Sequence, residues 1–118
     1  MMNKEKIIRA IFWCNPAGEE PVRTWLKELS KKDRRLIGED IKTVEFAWPV
    51  GMPTCRPITK GKGLWEVRTN LTGSRIARVL FYISDRKMCL LHGLIKKTQT
   101  TPKNDLDLAM KRKKEAQS

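Results

Sequence analysis

The sequence of 118 residues predicts an α+β domain in which a β-sheet packs against helices. Three observations indicate this class: a strand-like run near the N-terminus, apolar residues at helical spacing over residues 21–48, and three strand-like runs in succession over residues 64–95. We expect one domain spanning residues 1–118, because a chain of this length buries a single modest core.

The first predicted elements are a strand and two helices. Lys6–Trp13 is rich in β-branched and aromatic residues, as strands are. A short helix is predicted from Glu19 or Pro21, because proline is tolerated in a first turn. A second is predicted from Lys31 to about Ala47, with Ser30 as its N-cap. Its apolar stripe, which we expect to lie against a sheet, is Ile37, Ile41, Val44 and Trp48.

The second part of the chain predicts three strands and a final helix. The strands are Leu64–Thr69, Arg75–Ile83 and Met88–Ile95. The links between them are short, which favours an antiparallel meander. A C-terminal helix is predicted from Asn104 to about Lys114. The sequence shows no internal repeat or low-complexity linker, so it gives no sign of a second domain.

Alternation along the three strands sorts their side chains onto two faces. The expected apolar sets are Trp65 and Val67, then Ala77, Val79 and Phe81, then Cys89, Leu91 and Ile95. The opposite face is expected to bring together, on one concave surface, Arg68, Arg78, Tyr82, His92 and Lys96. We therefore predict a sheet with one apolar face and one cationic face.

The net charge of +12 is concentrated in the second part of the chain. Residues 1–45 carry 10 basic and 8 acidic side chains, whereas residues 46–118 carry 15 basic and 5 acidic ones. Clustered Lys and Arg favour a polyanionic partner, because phosphate binding releases counterions. The excess therefore predicts nucleic-acid binding, with a solvated basic face that has no partner as the alternative.

Several classes of protein are disfavoured by composition. The three cysteines are widely spaced, which suits neither a disulfide framework nor a CxxC metal pair, and a reducing cytoplasm fits them best. A single histidine cannot supply a usual zinc site, so we expect no metal and no other cofactor. No apolar stretch approaches the roughly 20 residues that span a bilayer. The start, MMNKEK, does not predict a signal peptide.

The predicted cationic face suits metal-free cleavage of RNA. In that reaction the neighbouring 2′-hydroxyl attacks the phosphorus, so a proton must leave it and another must reach the departing 5′-oxygen. Histidine, tyrosine or a lysine of lowered pKa can move these protons, and arginine can hold the phosphate oxygens. A Cys89–His92 nucleophile pair is disfavoured, because alternation places the two side chains on opposite faces.

The same residues also have purely structural interpretations. His92 would then be a partly buried histidine bonded to the backbone, and Arg68 and Arg78 would be ion-pair partners of Glu66 or of helix carboxylates. The run KRKK, residues 111–114, would be a solvated helix terminus that is favoured by the helix dipole.

The motifs GLWEVR, RIARVLFYI and LLHGLIKKTQTTP, in this order, resemble the phage-derived HigB-like toxins of the RelE/ParE superfamily. The earlier pieces PVRTWLKEL and IGEDIKTVEFAWPVGMP resemble that family's helical hairpin and following loop. The resemblance covers about Lys6 to Lys114. It implies a RelE-like fold, with a twisted antiparallel sheet against two N-terminal helices, and a toxin that cleaves mRNA on the ribosome. It also implies a HigA-like helix-turn-helix antitoxin as partner.

The resemblance also implies roles for individual residues. Phosphate-holding arginines correspond to Arg68 and Arg78, with Arg75 as second choice, and His92 is the candidate for proton transfer. The full catalytic set that we predict is Arg68, Arg78, His92, Tyr82 and Lys96. The predicted RNA- or ribosome-binding set is Lys60, Lys62, Arg75, Lys97, Lys103, Lys111, Arg112, Lys113 and Lys114.

Two alternative functions remain open at this point. A ParE-like inhibitor of DNA gyrase would use the same fold, because fold does not decide function. A non-catalytic basic module could instead act in a DNA-bound toxin–antitoxin repressor complex. A histidine on the cationic face favours the nuclease, since blocking gyrase requires no proton transfer.

Overall fold

The polypeptide forms a five-stranded sheet with two helices on one face and a third helix on the other, as described by a computed structural model for residues 5–58 and 63–118. In chain order the elements are β1 (Arg9–Phe12), α1 (Pro21–Glu28), α2 (Lys31–Ala47), β2 (Cys55–Pro57), β3 (Trp65–Asn70), β4 (Ile76–Ser84), β5 (Lys87–Lys96) and α3 (Lys103–Gln117). The predicted α+β class is confirmed, and the arrangement is consistent with a RelE-like fold.

The sheet has the strand order β1-β5-β4-β3-β2. The predicted meander is confirmed, because β4 pairs antiparallel with both β3 and β5. Two short edge strands complete the sheet: β1 runs parallel to β5, and β2 runs antiparallel to β3. The strand β2 lies in a stretch where the sequence predicted only a loop after α2.

The helix α2 has the predicted bounds. The Ser30 side chain caps it by accepting a hydrogen bond from the Asp33 backbone N–H at 3.1 Å. The apolar stripe is confirmed, with Ile37 and Val44 buried and Trp48 edge-on to Trp65 at 4.8 Å between ring centroids. Within the described part of the chain, no helix is both long and apolar enough to cross a membrane.

The helices α1 and α2 cover one face of the sheet, which we call the helix-hairpin face. Its buried core includes Val22, Ile37, Val44, Val67, Val79, Phe81 and Leu90. At Gly93 the strand β5 approaches α1 so closely that a Cβ atom there would overlap the indole ring of Trp25. Glycine is therefore required at this contact, although its backbone conformation is ordinary.

The helix α3 covers part of the opposite face, which we call the α3 face. Its apolar residues are Trp13, Leu64, Leu80, Tyr82, Cys89, Leu91, Leu94 and Ala109. Alternation predicted the faces of β3 and β4 correctly. The prediction for β5 was wrong for Cys89 and Leu91, because a β-bulge interrupts the alternation: Leu80 lies opposite His92, whereas Phe81 lies opposite Leu90. Leu91 is the extra residue, so Cys89 and Leu91 share the α3 face with His92.

Candidate functional site

Three arginines surround one carboxylate on the part of the α3 face that lies nearest β2. We call Arg56, Glu66, Arg68 and Arg78 the ionic cluster. Arg56 lies opposite Glu66 across β2 and β3, and Arg68 lies directly opposite Arg78 across β3 and β4. Like charges directly opposite each other in a sheet destabilise it, so the pair of arginines requires an anion nearby.

Glu66 supplies that anion. Its side chain is fully buried, and its Oε2 accepts hydrogen bonds from Arg56 Nε and from Arg68 Nη1, the latter at 3.2 Å. Its Oε1 accepts from the Thr101 hydroxyl at 2.8 Å and lies 3.9 Å from Arg78 Nε. One carboxylate therefore serves three guanidinium groups, and the ionic cluster keeps an excess of positive charge.

Arg78 is fully buried, which departs from its predicted place on an open surface. Its Nη2 donates to the Thr98 carbonyl, whereas Nε and Nη1 have no hydrogen-bond partner among residues 5–58 and 63–118. Burial lowers the pKa of Arg78, the Arg68 charge lowers it further, and Glu66 opposes the shift. A phosphate cannot reach this guanidinium while residues 97–102 lie over it.

Residues 97–102, which we call the threonine-rich segment, cover the ionic cluster between β5 and α3. The Gln99 carbonyl and side-chain oxygens accept from Arg68 at 3.1 and 3.2 Å, respectively. The Arg68 side chain remains 11% exposed at this contact. Polar groups therefore cover Glu66, Arg68 and Arg78. The apolar part of the same face is covered by α3.

His92 forms a hydrogen-bonded pair with Asp105 beside the ionic cluster. The His92 Nε2 and Asp105 Oδ1 atoms are 2.6 Å apart, and the two side chains are 16% and 21% exposed. His92 lies opposite Leu80, which in turn lies opposite Glu66, so one row across the sheet joins the pair to the ionic cluster. The partner of the imidazole is thus a carboxylate on α3, and the pair can take up or release a proton.

Tyr82 and Lys96, the other predicted catalytic residues, form none of the hydrogen bonds or ion pairs of the ionic cluster in the described part of the chain. Tyr82 is buried opposite Cys89, with Lys113 Nζ 5.6 Å from the centre of its ring. Burial raises the pKa of the Tyr82 hydroxyl and that of the Cys89 thiol. Lys96 is exposed at the end of β5, opposite Ile76. Arg68, Arg78, His92 and Lys96 therefore occupy neighbouring positions of the sheet, whereas Tyr82 is buried further along β4.

Three of the predicted RNA-binding cations are partly buried and contact other parts of the protein. Arg75 donates to both carboxylate oxygens of Asp33, at 2.8 and 3.2 Å. Arg112 donates to the Leu91 carbonyl at 2.7 Å and lies 5.0 Å from the centre of the Trp13 ring. Lys113 lies against Tyr82, as described above. These side chains stabilise the fold, so the picture of KRKK as a wholly solvated run is wrong for Arg112 and Lys113.

The remaining predicted cations fall into two groups. Four are exposed, and of these Lys103 pairs with Asp107 at 3.1 Å. These four are Lys97, Lys103, Lys111 and Lys114. Lys60 and Lys62 lie outside the described residues, so their predicted role is not addressed by the structure.

A cleft of about 750 Å³ opens beside the ionic cluster, where β2 begins and β3 extends beyond it. Arg56 and Arg68 line it together with Gln99, and Asp40 of α2 lines it as well. Reasoning from sequence missed Arg56, Glu66 and Asp105 as site residues. Only Glu66 left a signal, because alternation placed it beside Arg68.

Comparison with known proteins places the chain in a family. A search of curated proteins gives no significant match. The family model described as "Phage derived protein Gp49-like (DUF891)" matches residues 24–114, from within α1 to within α3. This span includes the ionic cluster, the threonine-rich segment and the His92–Asp105 pair. The chain therefore belongs to the phage-derived Gp49-like family.

Proposed function

We propose that this protein is the toxin of a type II toxin–antitoxin system and cleaves mRNA on the ribosome without a metal ion. The observation that carries the proposal is the His92–Asp105 pair, which places a proton-transfer group in the same cross-sheet row as an arginine cluster. The phage-derived family and a fold consistent with RelE support it, as does the basic second part of the chain.

In this proposal, Arg68 and His92 carry the chemistry. Arg68 is the partly exposed guanidinium of the opposed pair, and its N–H groups can bind the oxygens of the reacting phosphate. His92 moves a proton to or from the ribose or the leaving oxygen, while Asp105 holds the imidazole in position through their hydrogen bond. Arg78 adds positive charge from beneath without touching the substrate in this conformation.

The partners follow from the same proposal. Exposed lysines, among them Lys97, Lys111 and Lys114, bind ribosomal RNA, and the ribosome orients the mRNA for attack. A HigA-like helix-turn-helix antitoxin holds the toxin inactive. The protein acts in the cytoplasm, where its substrate is made.

Pulse labelling after expression without the antitoxin tests the class of activity. We expect protein synthesis to stop before DNA synthesis. If DNA synthesis fails first and a damage response follows, the protein is a gyrase inhibitor and the nuclease proposal is wrong.

A second assay tests dependence on the ribosome. Purified protein should cleave mRNA on programmed ribosomes and cleave naked RNA poorly, because the ribosome orients the mRNA for attack. Rapid cutting of naked RNA at low enzyme concentration would contradict this dependence.

A further inference from the structure

The cleft beside the ionic cluster has a cationic wall and an acidic wall. Arg56 and Arg68 line it on the sheet side, and Asp40 and Glu39 line it from α2. Its volume of about 750 Å³ lies within the range of small-molecule sites. The side chain of Arg56 is 33% exposed, which makes it the most accessible guanidinium of the ionic cluster.

Arg56 and Arg68 are held at the cleft by a common anchor. Both donate to the same oxygen of Glu66, Oε2, so one carboxylate fixes two guanidinium groups side by side. Each guanidinium has five N–H donors, of which Glu66 engages only one on each side chain. The remaining donors of Arg56 make it a ligand for a phosphate in the cleft.

Asp40 is an oriented hydrogen-bond acceptor on the opposite wall. Its Oδ2 accepts from the Thr69 hydroxyl at 2.7 Å, and Thr69 is itself buried, which fixes the carboxylate in place. Among the bases, only guanine presents two parallel donors, N1–H and N2–H, on its Watson–Crick edge. A fixed carboxylate can accept both, whereas it finds one donor on uracil, flanked by carbonyl oxygens.

An apolar side chain stands at the same cleft. Met52 is 64% exposed, in contrast to the buried apolar residues of the two sheet faces. A base in the cleft could stack its ring against this flexible thioether, as single-stranded bases stack on side chains in other RNA sites.

We infer that this cleft binds a guanine nucleotide adjacent to the cleaved bond, with its phosphate on Arg56 and its base on Asp40. The inference deepens the proposed function and rests on it for the identity of the polymer. Binding of a free nucleotide can be measured without the ribosome, so the two can fail separately.

Titration of the full-length protein with nucleoside 5′-monophosphates, followed by calorimetry and backbone NMR, tests the inference. GMP should bind about tenfold more tightly than IMP, which lacks the N2 amine, because one charge-assisted hydrogen bond is lost. UMP should bind at least as weakly as IMP. In the wild-type protein, GMP should shift the amide signals of Asn70 and Thr100, which line the cleft.

Two variants and one control test the acidic wall and the cationic wall of the cleft separately. Asp40→Asn keeps an acceptor for Thr69 but removes the charge, so it should abolish the preference of GMP over IMP. Arg56→Ala should weaken GMP and UMP equally, by about tenfold. Glu28→Gln changes an exposed carboxylate at the end of α1, outside the cleft, and should leave the GMP preference intact.

Three results would overturn the inference: equal binding of GMP and UMP to the wild type, shifts confined to residues outside the cleft, or an unchanged preference in folded Asp40→Asn. Translation arrest with no GMP preference would refute the cleft assignment and leave the proposed function standing. GMP binding without translation arrest would refute the proposed function and leave the cleft as a guanine-binding site.

Discussion

Strand alternation gives the sheet two faces that differ in their side chains and in what covers them. The helix-hairpin face buries apolar side chains under two helices. The α3 face is divided: its apolar part lies under α3, whereas its ionic cluster lies under the threonine-rich segment. The comparison teaches that the charged groups lie where the covering groups are polar, while helices cover the apolar side chains of both faces.

The energetics of the two faces differ accordingly. Apolar burial contributes roughly 25 cal/mol per Å² and tolerates little change in shape. A buried ionic cluster contributes little net stability, because desolvation offsets the attraction between its charges, yet removal of one member leaves the others uncompensated. Single substitutions can therefore distinguish the two faces.

The largest expected loss of stability follows removal of the shared anion. Glu66→Ala should lower the free energy of unfolding by about 3–5 kcal/mol, because it leaves three clustered arginines without their carboxylate. Urea denaturation measures this loss, with Glu39→Ala, an exposed carboxylate on α2, as the control. A loss below about 1 kcal/mol would show that the cluster does not depend on Glu66.

The next loss concerns the helix-hairpin face. Gly93→Ala should lower the free energy of unfolding by about 1–3 kcal/mol, because the added methyl group overlaps the Trp25 ring in a closely packed core. Gly38→Ala is the matched control: Gly38 lies in α2 with open space around it, so alanine there should stabilise by about 0.5–1 kcal/mol. Equal effects in thermal denaturation would contradict the close contact.

A third test compares two residues of the basic run at the end of α3. Arg112→Ala should cost about 1–2 kcal/mol through loss of its bond to the Leu91 carbonyl and its contact with Trp13. Lys111→Ala, at an exposed position, should change stability by less than about 0.5 kcal/mol. The same denaturation assay compares them, and indistinguishable variants would mean that Arg112 is also a solvated cation.

The smallest effect concerns the Asp33–Arg75 pair. The Arg75 hydrogen bonds hold the pKa of Asp33 below its usual range, so this pair stabilises the fold above about pH 4. That contribution disappears as the pH falls through the lowered pKa. Arg75→Ala should therefore lower the free energy of unfolding slightly at neutral pH. It should also make the decrease of that free energy in acid less steep, as measured by denaturation at several pH values. An unchanged acid profile would show that Arg75 does not set this pKa.

Local patterns predicted most of the fold and part of the site. Helical spacing and a capping serine gave α2 its correct ends, and alternation placed Glu66 with Arg68 and Arg78 with Tyr82. A strict period of two could not foresee the bulge at Leu91, because nothing in LLHG marks an extra residue. The edge strand β2 contains only three residues, which is too short for a periodic signal.

The missing site residues depend on long-range contacts. Asp105 reaches His92 from a helix 13 positions later, and Arg75 meets Asp33 across 42 positions. Only the position of the threonine-rich segment over Arg68 of β3 and Arg78 of β4 reveals that it buries Arg78. Charge counts identified a cationic face, but they could not tell which cations are used internally.

We propose that Arg68 of the ionic cluster and the neighbouring His92 carry out phosphodiester cleavage. The direct test is the single-turnover cleavage rate of mRNA on programmed ribosomes at saturating protein, for Arg68→Ala and His92→Ala. We predict a loss of roughly 100-fold or more for each, because one removes a phosphate ligand and the other a proton-transfer group, while ribosome binding persists through the remaining cations. A folded Arg68→Ala or His92→Ala variant that cleaves at the wild-type rate would contradict the claim.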